Sequence, residues 1–365
     1  MVLNISLPEF KKIFDNEKLY LPIRWDGNDF ICTLDKLYHL YQSQINETIK
    51  NDEMENVHKQ INAVCSLLIN SINAYLNGFP SDAFSIFCNL MNKYLMRNPL
   101  KLYKKSITEL FELSEYFDPL NLYRVVRVSD NTQYNRARVF HTPYNLRSKV
   151  STSRYSIAGY PSLYLGTSIE LCEEEVGLNP YDKFAIASLF KIERNLEFCD
   201  TEVSVIELAL KPQDFFEINN QRERIGRRFS RSLLSDKSVR NAYLLWYPLI
   251  ATCSYIRVNK SDPFAAEYII PQLLMQWVRK ELDEDNDCYD KLIGIRYFSC
   301  ASVRASDIGF NYVFPTSGKQ DREMPFCSVL MKAFKLTKPV FIHEFCNVSE
   351  CEVYLQNMNL DKVKY

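Results

Sequence analysis

Glycine is scarce in this chain, 9 residues of 365, against an ordinary share of roughly 7%. The motifs built on glycine are missing as well. No Gly-x-Gly-x-x-Gly and no Gly-Lys-Ser/Thr occurs, so Rossmann and P-loop phosphate cradles have no support. Neither a Gly-x-Ser-x-Gly elbow nor a His-Glu-x-x-His pair is present. With only 4 His in the chain, a mechanism centred on histidine is not expected. The 11 Cys include no Cys-x-x-Cys pair and are odd in number, which fits scattered reduced thiols in a cytoplasm better than a disulfide framework. A net charge of -1 argues against the electrostatic footprint of a dedicated nucleic-acid binder. The N-terminus lacks a basic stretch followed by an apolar core, so no signal peptide is expected. The longest uncharged run, Asn241 to Ile256, is too short to span a bilayer and contains Pro248. It reads as a buried core helix or as two abutting pieces.

Two metal patterns also fail. Asp283, Asp285 and Asp287 imitate the start of a calcium loop, but Cys288 replaces its turn glycine and Gly294 its closing glutamate. His343, Cys346 and Cys351 lack a fourth zinc ligand at suitable spacing. No metal is expected.

What remains is an ordinary globular composition, 47% apolar and 24% charged, rich in Tyr and Phe with 23 of each. Residues 1 to about 115 read as mostly helical. Ile61, Val64, Cys65, Leu68, Ile72, Tyr75 and Leu76 keep one helical face. Gly78 to Asp82 then breaks the chain, with Ser81 or Asp82 as the next N-cap. From Leu122 the texture changes to short strands: Leu122 to Val128, Ser162 to Gly166, Phe184 to Ile192, Val203 to Leu210 and Leu292 to Ser299. Helical patterns intervene at 168–178, 240–256 and 271–281. The class is α+β with an N-terminal helical domain. A basic stretch (Arg222, Arg224, Arg227, Arg228, Arg231, Lys237 and Arg240) reads as a solvated helix face or insertion, or else as a phosphate contact.

One acid stands out. Thr167 and Glu170 form a capping box, starting a helix in which Ile169, Leu171, Cys172, Val176 and Leu178 fill one arc. Glu170, Glu173 and Glu174 fall outside that arc, whereas Glu175 falls inside it. Burying a carboxylate costs several kcal/mol unless it is paired. Glu175 is therefore either half of a structural ion pair or a functional carboxylate.

Arg154-Tyr155-Ser156-x-x-Gly159-Tyr160-Pro161-x-Leu163-Tyr164-Leu165, with Glu175 eleven residues after Tyr164, resembles the signature of the RES-domain family. Leu122-Tyr123-Arg124 resembles that family's opening strand. Gly294-Ile295-Arg296-Tyr297-Phe298-Ser299, followed by Asn311, resembles its closing Ser block. Ile270-Pro271-Gln272-Leu273-Leu274 is similar to the helix before that block. The resemblance covers residues from about 120 to 320. It divides the chain into an N-terminal helical domain (1–115), a RES-like catalytic domain (116–345) with an insertion around 195–260, and a C-terminal tail (346–365).

The resemblance implies an ADP-ribosyltransferase-like core and a cytoplasmic bacterial enzyme that consumes NAD+, acting as a growth-inhibiting or defence toxin. Such enzymes cleave the nicotinamide–ribose bond by hydrolysis or phosphorolysis, or transfer ADP-ribose to a protein acceptor. An Xre-type antitoxin is the implied partner, while the charge and hydropathy of the chain favour neither a membrane nor nucleic acid. A non-catalytic interaction or nucleic-acid-binding protein that retains the fold is the rival of another class. The implied roles fall on Glu175 as the carboxylate facing ribose charge, on Arg124 and Arg154 as holders of the diphosphate, on Tyr164 as the ring stacked on nicotinamide, and on Ser299 as an orienting hydroxyl. Arg127 replaces Arg124 if the strand register is reversed. Tyr164 also reads as a core ring, and Ser299 as a backbone-bonded serine.

Overall fold

A computed structural model describes residues 5–49, 54–97, 99–103, 121–178, 184–193, 202–215, 236–259, 261–283, 290–317 and 324–364. The chain separates into two compact units, Met1–Leu100 with Leu208–Trp277, and Lys101–Glu207 with Val278–Tyr365. The described part of the expected insertion from Leu208 onward thus folds with the N-terminal helices rather than with the strands. Arg222, Arg224, Arg227, Arg228 and Arg231 lie outside the described residues, as do Asp285 and Asp287. Arg240 is buried and donates to the Ile5 carbonyl, so it is a core contact and not a solvated charge.

Elements are numbered along the chain. The first unit holds α1 (Leu7–Ile13), α2 (Phe30–Thr48), α3 (Met54–Leu76), α4 (Pro80–Leu90), α7 (Lys237–Thr252) and the start of α8 (Ile269–Asp283). A short parallel pair, β1 (Ile23–Arg24) and β7 (Tyr255–Ile256), accompanies them. The α3 stripe is buried from Ile61 to Ile72, while Leu76 at its end is exposed. Neither Ser81 nor Asp82 caps α4. Pro80 occupies the first turn behind Phe79, because the first turn has no use for the N–H that proline lacks. The run containing Pro248 is helical without a break as far as Thr252, and its last residues, Tyr255 and Ile256, form β7. Proline cannot donate to the carbonyl four residues back, and the Tyr41 hydroxyl takes that place at 2.7 Å from the Leu244 oxygen. Around this point the rings of Phe14, Tyr41 and Tyr247 pack with centroids 4.5 to 5.8 Å apart.

The second unit is built on one sheet. Its strands are β2 (Lys101–Tyr103), β3 (Leu122–Arg127), β4 (Ser162–Gly166), β5 (Ala185–Ile192), β6 (Glu202–Leu208), β8 (Asp290–Phe298), β9 (Phe310–Pro315), β10 (Phe334–Leu336) and β11 (Val340–Phe341). They run in the order β10-β5-β3-β4-β9-β8-β6-β2, with β11 also on β5. Every register described in this sheet is antiparallel. The α+β class is as the sequence predicts, and the five expected strands are present within a residue or two at each end. The strand Phe310–Pro315 was not anticipated. It is buried at every position, so it lacks the alternation that betrays a half-exposed strand.

Helices α6 (Ile169–Val176) and α11 (Val348–Gln356) cover one face of the sheet. Ile169, Cys172, Cys351 and Leu355 form one core with Tyr123, Val125, Ala187 and Leu189. The last residues are therefore not a tail, since α11 supplies part of this core.

His141 is fully buried in the second unit. Its Nε2 accepts from the Cys327 N–H at 2.9 Å, so Nδ1 carries the proton and donates to the Thr142 carbonyl. Burial, with a contribution from Arg124, lowers its pKa to about 4, against the opposing bond to Thr142. The unfolded chain takes up this proton near pH 6.5 and the folded chain only near pH 4, so stability is lost as pH falls through that window. The expected loss is about 3 kcal/mol on the linkage relation. Urea midpoints at pH 7 and 4.5 test this. The increment should vanish in His141→Gln, and equal slopes in both proteins would rule His141 out as its source.

Candidate active site

Helix α6 starts one residue later than the sequence suggests. Ser168 is its N-cap and accepts from the Leu171 N–H, while the Thr167 hydroxyl accepts from the Phe310 N–H. Glu352 of α11 accepts from the Ile169 N–H at 2.6 Å, an anion at the positive end of the helix. Burial raises the pKa of that carboxyl, against the lowering effect of the Ile169 bond. At the other end Gly177 adopts φ +65°, the left-handed conformation that closes a helix. Arg127 is exposed and donates to the Gly177 carbonyl. Its role is thus at the helix terminus.

Gly166 sets how near α6 lies to the sheet. A Cβ there would stand 2.8 Å from the Cys172 sulfur, closer than atoms pack. Cys172 donates to the Tyr123 carbonyl, and burial pushes its thiol up to about 12, so it packs and does not react.

Glu175 is exposed, contrary to the burial inferred from its place in the apolar arc. The arc is real for Ile169, Leu171 and Cys172, which are buried over the sheet. The helix ends one residue after Glu175, so its last turn opens toward solvent. The carboxylate is nonetheless fixed, since Asn311 Nδ2 donates to its Oε1 at 2.6 Å. Asn311 is paired across the sheet with both Gly166 and Tyr297.

Directly opposed residues of antiparallel strands share a face, and so do alternate residues along a strand. Tyr164, Gly166, Asn311 and Tyr297 therefore all face α6. The Tyr164 hydroxyl is held by Ser153 at 2.7 Å and Ser156 at 2.8 Å. Between those serines, in the turn they bridge, stands half-buried Arg154. Tyr155 packs on Tyr297 with ring centroids 4.6 Å apart. Burial holds the Tyr297 phenol well above its usual range. Negative charge on Glu175 and on the Tyr164 and Tyr155 phenols adds to this, and Arg154 offsets it. Tyr297 is thus where the influences of Arg154, Tyr164 and Glu175 meet.

Two expected members stand apart. Ser299 follows the end of β8 and accepts from the Ala301 N–H at 3.1 Å, a local backbone bond. Arg124 alternates with Tyr123 and Val125, which pack under α6, so it lies on the opposite face of β3. Strands β3 and β4 are in register at one pair, Tyr123 with Gly166, and then part. Where they part, Arg124 makes a long 3.4 Å bond to the Tyr164 carbonyl. Asn311 and Tyr297 belong to the closing block of the resemblance but carry no expected role. Period-two alternation marks Tyr297 on the face of Ser299, but only strand pairing brings Asn311 to Glu175.

No family model matches this chain, and no solved structure matches it. It is similar to the protein named "Putative toxin YopC" of Bacillus subtilis (strain 168), with 29% identity over 334 residues, which is 89% of this chain and 69% of that protein. The resemblance to the RES family thus rests on the quoted blocks.

The Gly166 contact is open to test. Gly166→Ala should cost roughly 1–3 kcal/mol through overpacking, read from the denaturation midpoint. The pair Gly166→Ala with Cys172→Ala should cost less than the two changes summed, because the clashing sulfur is gone. Strict additivity would mean that something else sets the approach of α6.

Proposed function

We propose that this chain is a toxin that consumes NAD+ by breaking its nicotinamide–ribose bond. The observation that carries the proposal is the Glu175 carboxylate, open to solvent and fixed by Asn311 over the sheet face that also carries Tyr164 and Tyr297. The likeness to a protein named as a toxin, over most of the chain, supports the toxin part. An Xre-type antitoxin as partner belongs to the same proposal.

When the bond breaks, nicotinamide leaves with the electron pair and positive charge builds at ribose C1′. A carboxylate held nearby stabilises that charge and not the ground state, which is what accelerates the step. An amide partner orients Glu175 without adding a countercharge. Arg154 supplies a cation for the diphosphate, for which its planar fork of donors is suited. Tyr164, fixed by two serine hydroxyls, offers a ring to nicotinamide. Water then adds at C1′ and releases a proton, giving ADP-ribose. Phosphate in its place gives the 1-phosphate. Since Glu175 is exposed, the bound substrate itself has to exclude water from it. That openness also leaves room for a protein side chain as acceptor, which is the second reading.

Purified full-length protein should release nicotinamide from NAD+, and Glu175→Gln should lower the rate on the order of 10²-fold or more. Asn311→Ala should lower it less, because the carboxylate remains. Dependence on added phosphate identifies phosphorolysis, and ADP-ribose label retained on protein identifies transfer. Release that survives Glu175→Gln, or neither free product nor labelled protein from folded enzyme, would sink the proposal.

A further inference from the structure

Taking a phenol hydroxyl out of water without a hydrogen bond is costly, so buried tyrosines find partners. In the first unit Tyr38 meets Thr252, and Tyr41, Tyr243 and Tyr247 donate to the carbonyls of Leu244, Leu210 and Leu19. In the second unit Tyr123 accepts from Gln356, and Tyr164 is held by two serines. Tyr297 differs. Only 8% of its surface is exposed, yet its hydroxyl makes no hydrogen bond to a described residue.

Tyr312 is the instructive contrast. Its hydroxyl is unbonded too, but it is sealed from solvent on the opposite face of the sheet, under the influence of Arg296. The Tyr297 hydroxyl is not sealed. Its ring is also fixed without help from the hydroxyl. It packs on Tyr155 with centroids 4.6 Å apart, and its backbone is paired with Asn311. Asn311 in turn holds Glu175 by one carboxylate oxygen, and the other oxygen makes no hydrogen bond among the described residues. Burial and the Glu175 charge keep the phenol protonated, so Tyr297 offers a donor. The site thus presents an unspent donor on the face where an acceptor is also unspent. A sugar hydroxyl suits both, because it accepts and donates at once.

We propose that Tyr297 is a further catalytic residue, whose hydroxyl donates to an oxygen of the sugar bound at Glu175. The proposal rests on the reading of Glu175 as the carboxylate that faces ribose. Tyr297 transfers no proton and forms no covalent bond. Its hydrogen bond holds the sugar against the carboxylate, and the ligand offsets the cost of the unbonded hydroxyl. A donor kept in place by a packed ring needs no rearrangement when substrate arrives.

Tyr297→Phe keeps the ring on Tyr155 and removes only the oxygen. Its melting temperature should equal or exceed that of wild type, since no bond within the fold is lost. With NAD+ as substrate, kcat/KM should fall roughly tenfold or more, the scale of one hydrogen bond to a ligand. Calorimetry should show ADP-ribose binding the variant more weakly by a similar factor and nicotinamide binding it as before, which assigns the contact to the sugar. Activity equal to wild type, a lowered melting temperature, or weakened nicotinamide beside unchanged ADP-ribose would each overturn the proposal. Glu175→Gln, assayed alongside, separates this proposal from the reading it rests on. An inactive Glu175→Gln beside a fully active Tyr297→Phe rejects Tyr297 alone. Release that survives Glu175→Gln but is lost in Tyr297→Phe rejects Glu175 alone. Wild type that neither binds nor cleaves NAD+ rejects both.

Discussion

The candidate site depends on how closely one short helix can approach a sheet, and a missing side chain at Gly166 sets that distance. With no Cβ at this position, Cys172 seats against the strand and reaches the Tyr123 carbonyl. The helix has eight residues, too few to be stable alone, so its position comes from tertiary contacts. Glu352 caps its first turn, Arg127 meets the Gly177 carbonyl at its end, and Arg304 spans Glu170 and Glu174 on its outer side. The Arg304 pairs are exposed and orient more than they stabilise. Together these contacts deliver Glu175 to Asn311.

A consequence follows for β3. Tyr123 and Val125 face α6 and its core, while Arg124 and Val126 lie on the other face of the strand. The single register pair between β3 and β4 matters here, because parted strands leave the Arg124 side chain a backbone carbonyl to meet. A continuous ladder would have spent that carbonyl on its own hydrogen bonds.

The first unit obeys the same accounting of backbone groups. Pro248 removes a donor from the middle of a buried helix, and Tyr41 supplies one from another helix. The helix stays continuous because the orphaned carbonyl is satisfied, and the ring that satisfies it also fills the core. Whether such a run is one helix or two cannot be decided without knowing which side chain lies opposite the gap.

By itself, the sequence determined the α+β class, the strands with marked β texture and the buried stripe of α3, because these depend on local propensity and on periods of two and 3.6 residues. It also singled out Glu175, Arg154 and Tyr164, which share one short segment around β4 and α6. Tertiary structure decided what lies next to what. It replaced Thr167 by Ser168 as the cap, since Thr167 was taken by the Phe310 N–H. It exposed Glu175, because a helical arc says which side a residue faces but not where the covering sheet stops. It gave Ser299 a local partner, turned Arg124 to the far face, and brought Asn311 across 136 positions of chain to the carboxylate. Pairing of distant strands carries no local periodic signal, and so those neighbours were fixed only when the sheet closed its register.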